Sequence, residues 1–567
     1  MTDVATVDVV VLGAGPSGLA TVQHLQSSNL SVALLEKANR LGGRIMTLRY
    51  RDAKVGVDLG PAWIHYGTAN PLTYLAKQGN CSLVRTQNLN MDVYHRGKAL
   101  PRSVILDMFG LLDKIERDYE QFKDANAANA SLLLVLQQLF RHEKFNLTPE
   151  QQAAFAAILF GEVVEDWTAP LHELSAAKHC EYDNVDGVGS DWRILEGMEC
   201  VVKSMLWNSS NKLAGPQMLQ PQLRLSHTAS SVKLDGTRVL VEGMQGGEQW
   251  TLSAKIAVVA VPLGELREGR LKIEPLPRWK EKAWQELGLG HAIRAAIEFE
   301  TPFWPSEVEF FMDFIADSWH TEESKLPVES NFTSDDPDSF LKNIDLCSIE
   351  FTSPLSASVP VLVAEADGRL AMKLAKLSDQ QIIDFLISRL EKMFALQLSP
   401  RKSFVSRPWG LPFWHRFSQG RASARLAGKA AWEQRLFFAG DYVSHHVGTV
   451  AGAYLSGIAA AHAVRCQLGQ GGLDLLAHPA VLPMIRSRCA KKELDRKAGD
   501  LCKLSLWDLY KCSALPELDD ESGRTCFVQG HDKWTSGSAG DPRAWWMPLK
   551  WWHWLQSFLG KAAREEI

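Results

Sequence analysis

What this sequence lacks narrows it before any motif is weighed. Its nine cysteines, at positions 81, 180, 200, 347, 466, 489, 502, 512 and 526, are odd in number and include no CxxC pair. That pattern is neither a disulfide framework nor a zinc site, so the expectation is reduced thiols in a cytoplasmic protein without a metal. No run of about 18 apolar residues occurs, which leaves no candidate spanning helix. The amino terminus, MTDVATVDVVVLGAGPSG, has no basic region ahead of its apolar run and no small-residue cleavage site, so the run reads as a strand and not as a leader. Nor is there an excess of positive charge: 61 Lys and Arg face 66 Asp and Glu, a net charge of −5. Nothing electrostatic favours nucleic acid, and a small molecule is the default partner. At 567 residues the chain suggests two or three structural units with interior enough for a large cofactor.

What is present begins with VDVVVLGAGPSGLATVQHLQSSNLSVALLEKANRLGGR, which reads as strand, turn, helix, strand. The β-branched run Val7 to Val11 suits a buried parallel strand, and Leu19, Val22 and Leu25 recur at helical spacing. Between them Gly13, Gly15 and Gly18 form G-x-G-x-x-G. A phosphate needs bare backbone N–H groups at a helix start, and side chains at these glycines would block its approach. Glu36 closes the second strand, where a carboxylate accepts hydrogen bonds from ribose hydroxyls and repels a 2′-phosphate. NAD and FAD both satisfy this much. In NRLGGRIMT, Gly42 and Gly43 permit a second close backbone approach, and Arg44 adds a guanidinium fork for phosphate oxygens.

With these residues the chain resembles the flavin-containing amine oxidase family, whose fingerprint is GxGxxGL, a strand-ending Glu and a GGR turn; the resemblance implies FAD. It continues through VGVDLGPAWIH, which implies that Gly60, Pro61, Ala62 and Trp63 lie beside the isoalloxazine. His65, followed by GTANPL, matches the polyamine oxidase branch and implies a substrate-side role. SDWRILEGMECVVKSM is similar to the family's GGYxxLxxxL, with Glu196 and Met198 in place of the usual Gly and Tyr. SHTASSVKLDG implies an adenine contact at Val232. LFFAGDYVSHHVGTVAGAYLSGIAAAHAV resembles the family's FAGE strand and helix, with Gly440, with Asp441 for the usual Glu, and with Thr449 and Val450 at the pyrimidine edge. LGLGHAIR aligns with LGFGxxxK and puts Arg294 where the family's lysine holds a water at flavin N5. Arginine stays charged where lysine can lose its proton. The expectation is slow reaction with O₂ or a preference for an anionic substrate group.

The fold expected is α/β: a Rossmann-like FAD-binding domain of residues 1–75, 190–275 and 425–465, with a discontinuous α+β substrate-binding domain of 76–189 and 276–424. In the latter, FGEVVEDWTAPLHELS holds Glu162, Glu165 and Asp166 beside Trp167, a set that would attract an ammonium but that residue type alone places on a solvated acidic face. The usual family aromatic segment is replaced by PWGLPFWHRFSQG, where Trp414, Phe417 or Ser418 could wall a cavity. Residues 320–340 read as an exposed loop. Residues 466–567 read as an appended tail, ending in RAWWMPLKWWHWLQSFLG, a Trp-rich helix suited to a protein groove or a peripheral membrane contact. The function implied is oxidation of an amine with O₂. Alternatives on the same fold are an L-amino acid oxidase, with Arg294 or Arg416 clamping the carboxylate, a flavin desaturase, and a non-catalytic flavin-binding scaffold.

Overall fold

The computed structural model describes residues 4–481 apart from short stretches, of which 180–190, 209–216, 315–338 and 414–420 are the longest. Most of the 320–340 segment, Trp414, Arg416, Phe417, Ser418 and the Trp-rich end therefore lie outside the described residues.

The strand Ala5–Leu12 pairs in parallel with Val32–Leu35 on one side and Glu248–Val259 on the other. Parallel strands covered on both faces read as unbroken apolar runs, which is why Val9, Val10 and Val11 are all fully buried. The full order is Gln222–Arg224, Val32–Leu35, Ala5–Leu12, Glu248–Val259, Arg238–Gln245, Thr228–Asp235 and Lys272–Glu274, with Leu436–Phe438 added alongside Glu248–Val259. The hairpin expected from VLVEGMQGGEQW forms around Gly246 and Gly247, whose φ values of 56° and 93° suit a two-residue turn that matches strand twist. On this sheet the helix Pro16–Leu25 packs against Val450–Gln467. The approach is close enough that a Cβ on Gly457 would come within 2.2 Å of the Ser17 carbonyl oxygen. The run of small residues in the second helix is thus a packing requirement.

The second sheet runs Lys402–Trp409, Ala292–Glu298, Val361–Asp367, Ser348–Thr352, Phe310–Phe314, Met91–His95 and Lys98–Ala99. The helix Asp379–Phe394 is tied to it by Arg389, which donates to both oxygens of buried Asp313 at 2.6 and 3.0 Å. The helix Pro149–Leu159, opened by a Thr148/Gln151 capping box with Pro149 in its first turn, packs against the sheet at Phe310–Phe314 and Met91–His95. It runs on through a π-helical turn, Phe160–Val164, into Glu165–Trp167, and Thr168 ends it in the left-handed region at φ 50°.

Two expectations are corrected. The cysteines are not all reduced: Cys81 and Cys200 form a disulfide across 119 residues, and Cys466 is also disulfide-bonded. Their spacing concealed a pairing made by tertiary packing, where the helices Pro71–Gln78 and Glu199–Met205 meet and bring the two Cα atoms to 6.1 Å. The tail, expected to begin at 466, starts inside the last helix, and Ala480 and Val481 beyond it are buried in the core of the first sheet.

His478 fixes that return segment. Its Nε2 lies 2.7 Å from His24 Nε2. His24 Nδ1 donates to the Ala20 carbonyl and His478 Nδ1 accepts from Ala480 N, so the proton between the rings belongs to His478. Burial pulls His24 from 6.5 to about 4, with Arg465 adding to the shift. Burial likewise pulls His478 to about 3, with His24 adding. Depressed values mean that the stability from this pair is complete above 6.5 and is lost as pH falls towards 4. Exchange of the Val481 amide, which donates to the His478 carbonyl, should be tenfold or more faster at about pH 5 than at about pH 7.5, after correction for intrinsic rates. Equal protection at both would show that the pair does not hold the segment.

Candidate active site

A cavity of about 540 Å³ reaches from the first glycine turn to the second sheet. At the turn, Gly13 has φ +102° and a Cβ there would stand 2.6 Å from the Ala260 carbonyl oxygen. A Cβ on Gly18 would stand 1.8 Å from the Gly13 oxygen. Gly43, at φ +58°, brings its backbone against Gly15. Gly13, Gly15 and Gly43 line the cavity, while Gly18 lies behind them. The helix Pro16–Leu25 starts at Gly15 with no side-chain cap, which leaves its first N–H groups to a ligand. Glu36 lines the same end, with Oε2 accepting from Ala14 N at 2.7 Å and Oε1 from Ala38 N at 2.8 Å. Both oxygens are aimed and each keeps a lone pair for a ribose hydroxyl. A bare-backbone cradle, an uncapped helix start and an oriented carboxylate fit the adenosine and pyrophosphate of FAD.

The two ends of the chain meet here. Arg44 Nη2 donates to Asp441 Oδ1 at 2.6 Å, with the Asp441 side chain only 3% exposed. Arg44 thus spends part of its fork on Asp441, a use the sequence did not show. Gly440 and Asp441 line the cavity together with Thr449 and Val450. Thr449 caps the helix Val450–Gln467 by accepting from Gly452 N at 2.9 Å. The positive end of that helix consequently faces the cavity.

Pro61, Ala62, Trp63 and His65 form a further wall. Gly60 stands one step back, and its carbonyl accepts from Arg294 Nη1. Arg193 lies 5.1 Å from the Trp63 ring centre. His65 Nδ1 is 3.2 Å from Asp191 Oδ2, an orientation that leaves Nε2 as its other polar atom.

The Val232 side chain is fully buried in the sheet, paired with Val241 and Ile273, and the cavity is lined at the start of this strand by Thr228 and Ala229 and by the preceding His227.

The far end is built by strand register. Arg294 stands opposite Glu365, Glu365 opposite Glu350, and Glu350 opposite Met312. Register places these side chains in one row on one face, and all four line the cavity. Arg294 is 6% exposed and is ion-paired with Glu365, with Glu165 3.8 Å away. Burial alone would pull the guanidinium down, but Glu365, Glu165 and Asp367 more than reverse this, so it stays charged. Glu165 arrives from the helix side, just past the π-helical turn, the kind of bulge that re-aims side chains into sites. Its carboxyl is held well above the usual range, first by burial and then by the charges of Glu350 and Glu365. Burial and Glu365 likewise raise Glu350. Asp367, one pleat along from Glu365, is fully buried, and neither of its oxygens has a hydrogen-bond partner among the described residues. Burial, and after it Glu365, pushes it well up.

Glu162, Glu165 and Asp166 therefore line the cavity and do not form a solvated outer face. Glu350, Glu365 and Asp367 were not singled out from the sequence. Their signal was the one that drew attention to Arg294: a charged residue inside an apolar run, as in CSIEF and VLVAEAD. The carboxylate oxygens of Glu165, Glu350 and Glu365 lie within 4.8 Å of one another, a spacing that could ligate a cation. Arg294 already supplies the positive charge among them.

The profile of the flavin containing amine oxidoreductases matches residues 16–465. Polyamine oxidase 2 of Arabidopsis thaliana is 27% identical over 514 residues, covering 85% of this chain and 94% of that protein. Probable polyamine oxidase 4 of Arabidopsis thaliana is 26% identical over 480 residues, covering 81% and 86%. A solved structure of a putrescine oxidase double mutant, redesigned in its cofactor binding, superposes with a TM-score of 0.58 at 16% identity, covering 82% of this chain and 99% of that one.

Proposed function

Because this chain belongs to the flavin containing amine oxidoreductases, and is thus an FAD-dependent oxidoreductase, we propose that it oxidises a C–N bond of a primary or secondary amine, a polyamine above all. Oxygen would take the electrons, giving hydrogen peroxide and an imine that water hydrolyses to an aldehyde. The observation that carries this reading is the wall of Glu162, Glu165, Asp166, Glu350 and Glu365 on the cavity, where Arg294 is already neutralised by Glu365. An amine is cationic at neutral pH, and a low-dielectric wall of carboxyl groups attracts it. Similarity to plant polyamine oxidases over more than four-fifths of the chain supports the same class.

The chain's own parts divide the work. Flavin, when bound, accepts the hydride equivalent. The glycine turn and Glu36 would hold the cofactor, the Arg44–Asp441 pair would line its site, and the helix capped by Thr449 would offer it positive potential. Arg294 pins the Gly60 carbonyl and so fixes the Pro61–Trp63 wall. His65, held by Asp191, lines the cavity where an amine would lie, which supports a substrate-side role. An L-amino acid oxidase needs an arginine free for a carboxylate, and Arg294 has both terminal nitrogens engaged. Arg416, the other candidate clamp, lies outside the described residues.

The test is peroxide release from the purified flavoprotein across polyamines, monoamines and L-amino acids. We expect turnover with amines and none with amino acids. Turnover confined to amino acids would overturn the proposal, and so would silence with a bound, photoreducible flavin.

A further inference from the structure

We infer that Glu165 and Glu350 act as a paired proton acceptor, sharing one proton at rest and taking a second from the substrate ammonium, so that the amine enters oxidation with its lone pair free. The inference rests on the amine oxidase reading above. One carboxylate oxygen each of Glu165, Glu350 and Glu365 lies within 4.8 Å of the others. Carboxylates crowded this closely in a dry wall repel one another, and a proton held between Glu165 and Glu350 relieves them, which leaves the resting pair as one acid and one carboxylate.

The surroundings keep it there. Glu350 is 4% exposed, and the part of Glu165 that is open gives onto the cavity where an amine would lie. Glu365, facing Glu350 across the strand pair, is engaged by Arg294, which stands farther from Glu165 at 3.8 Å, so one guanidinium is shared among three carboxyl groups. Asp367 adds a buried carboxyl with no partner on either oxygen among the described residues, a group that can persist only as the neutral acid. The charged and titratable groups around the pair are thus Arg294, Glu365, Asp367, Glu162 and Asp166, with Arg193 acting on Glu350 from a distance. Burial and the neighbouring carboxylates raise both groups above the usual range, which agrees with a proton being held on the pair.

The step balances without a co-reactant. An N–H bond of R–CH₂–NH₃⁺ breaks, its electron pair stays on nitrogen, and an O–H bond forms on the pair, giving R–CH₂–NH₂ and two neutral carboxyl groups. The cavity then holds less separated charge than before, as a dry site favours.

The double variant Glu165→Gln/Glu350→Gln removes the acceptor while keeping shape, and Glu165→Gln alone is made beside it. Two readouts follow, each on protein whose bound-flavin spectrum matches wild type. The first is binding of an amine with no α-hydrogen, which cannot be oxidised, followed by perturbation of the flavin spectrum. The second is the anaerobic rate of flavin reduction by an oxidisable amine at low concentration. In wild type both should vary little between about pH 7 and 9. In the double variant both should fall about tenfold per pH unit below the amine's own pKa of about 10, because only amine already neutral in solution can be used. An amine whose pKa is lowered by fluorine at the β-carbon should restore the variant near neutral pH. Variants that keep the wild-type pH profile, or that this weak base fails to restore, would overturn the inference while leaving amine oxidation intact. A photoreducible flavin that no amine reduces would overturn both.

Discussion

Replacing Arg294 with Met should destabilise the protein by about 3–5 kcal/mol, the usual result of removing one partner of a buried ion pair. The loss should grow with pH. Without the guanidinium, Glu365 and Glu165 would be charged in a dry wall that already contains Glu350 and Asp367, and protonation is their only relief. The folded-state value of Glu165, already raised, would therefore rise further above the unfolded one, and stability held at low pH would be lost as pH rises through it. Thermal melts at about pH 6 and about pH 8 read this directly: the drop relative to wild type should be clearly larger at the higher pH. A drop that is the same at both, or absent, would show that Arg294 is not the counter-ion of the row. Arg294→Lys provides the contrast. An ammonium is compact and can serve Glu365 or the Gly60 carbonyl, but lacks the fork that spans both. It should recover most of the stability, and its flavin should reoxidise faster if a permanent cation is what slows O₂.

Gly18→Ala should abolish flavin retention. A Cβ at this position would lie 1.8 Å from the Gly13 carbonyl oxygen, a backbone atom that cannot rotate away. Gly13 is itself hemmed by the Ala260 carbonyl, so neither side of the turn can yield without opening the cradle. Overpacking of this kind costs about 1–3 kcal/mol, and here it also displaces the N–H groups that face the pyrophosphate. The variant should purify with less than about a tenth of the wild-type flavin, roughly the loss expected when about 1.4 kcal/mol of cofactor binding is removed under limiting supply. The absorbance ratio of flavin to protein checks it, and a wild-type ratio would mean that the turn relaxes at little cost.

Legibility differed between the two ends of the cavity for a physical reason. At the cofactor end, glycines, a capping Thr449 and a strand-ending Glu36 act within one turn of their own sequence neighbours, and a linear pattern records them. The acidic end is made by register between strands far apart in the chain. Arg294, Glu350 and Glu365 become neighbours only when three strands pair. Arg294 could be noticed as an oddity, yet its partner could not be named. The Glu162 to Trp167 segment was misread because a charged cluster on a helix is usually solvated, and a π-helical turn that rotates the following residues inward leaves no mark in composition. The Cys81–Cys200 bond spans 119 residues and depends on two helices docking, which spacing alone does not encode.

The Arg44–Asp441 pair carries a consequence for how the molecule is made. These residues are 397 apart in sequence, and Leu436–Phe438 enters the first sheet beside a strand that ends at Val259. During synthesis the amino-terminal strands and glycine turn emerge early but face an unfinished wall until the segment near residue 441 has left the ribosome. The nascent chain must therefore keep a large apolar sheet face waiting through most of its translation, and the cofactor can be trapped only at the end. A chain cut short before residue 436 would lack both Asp441 and the strand that joins the first sheet beside Glu248–Val259, and should purify without flavin.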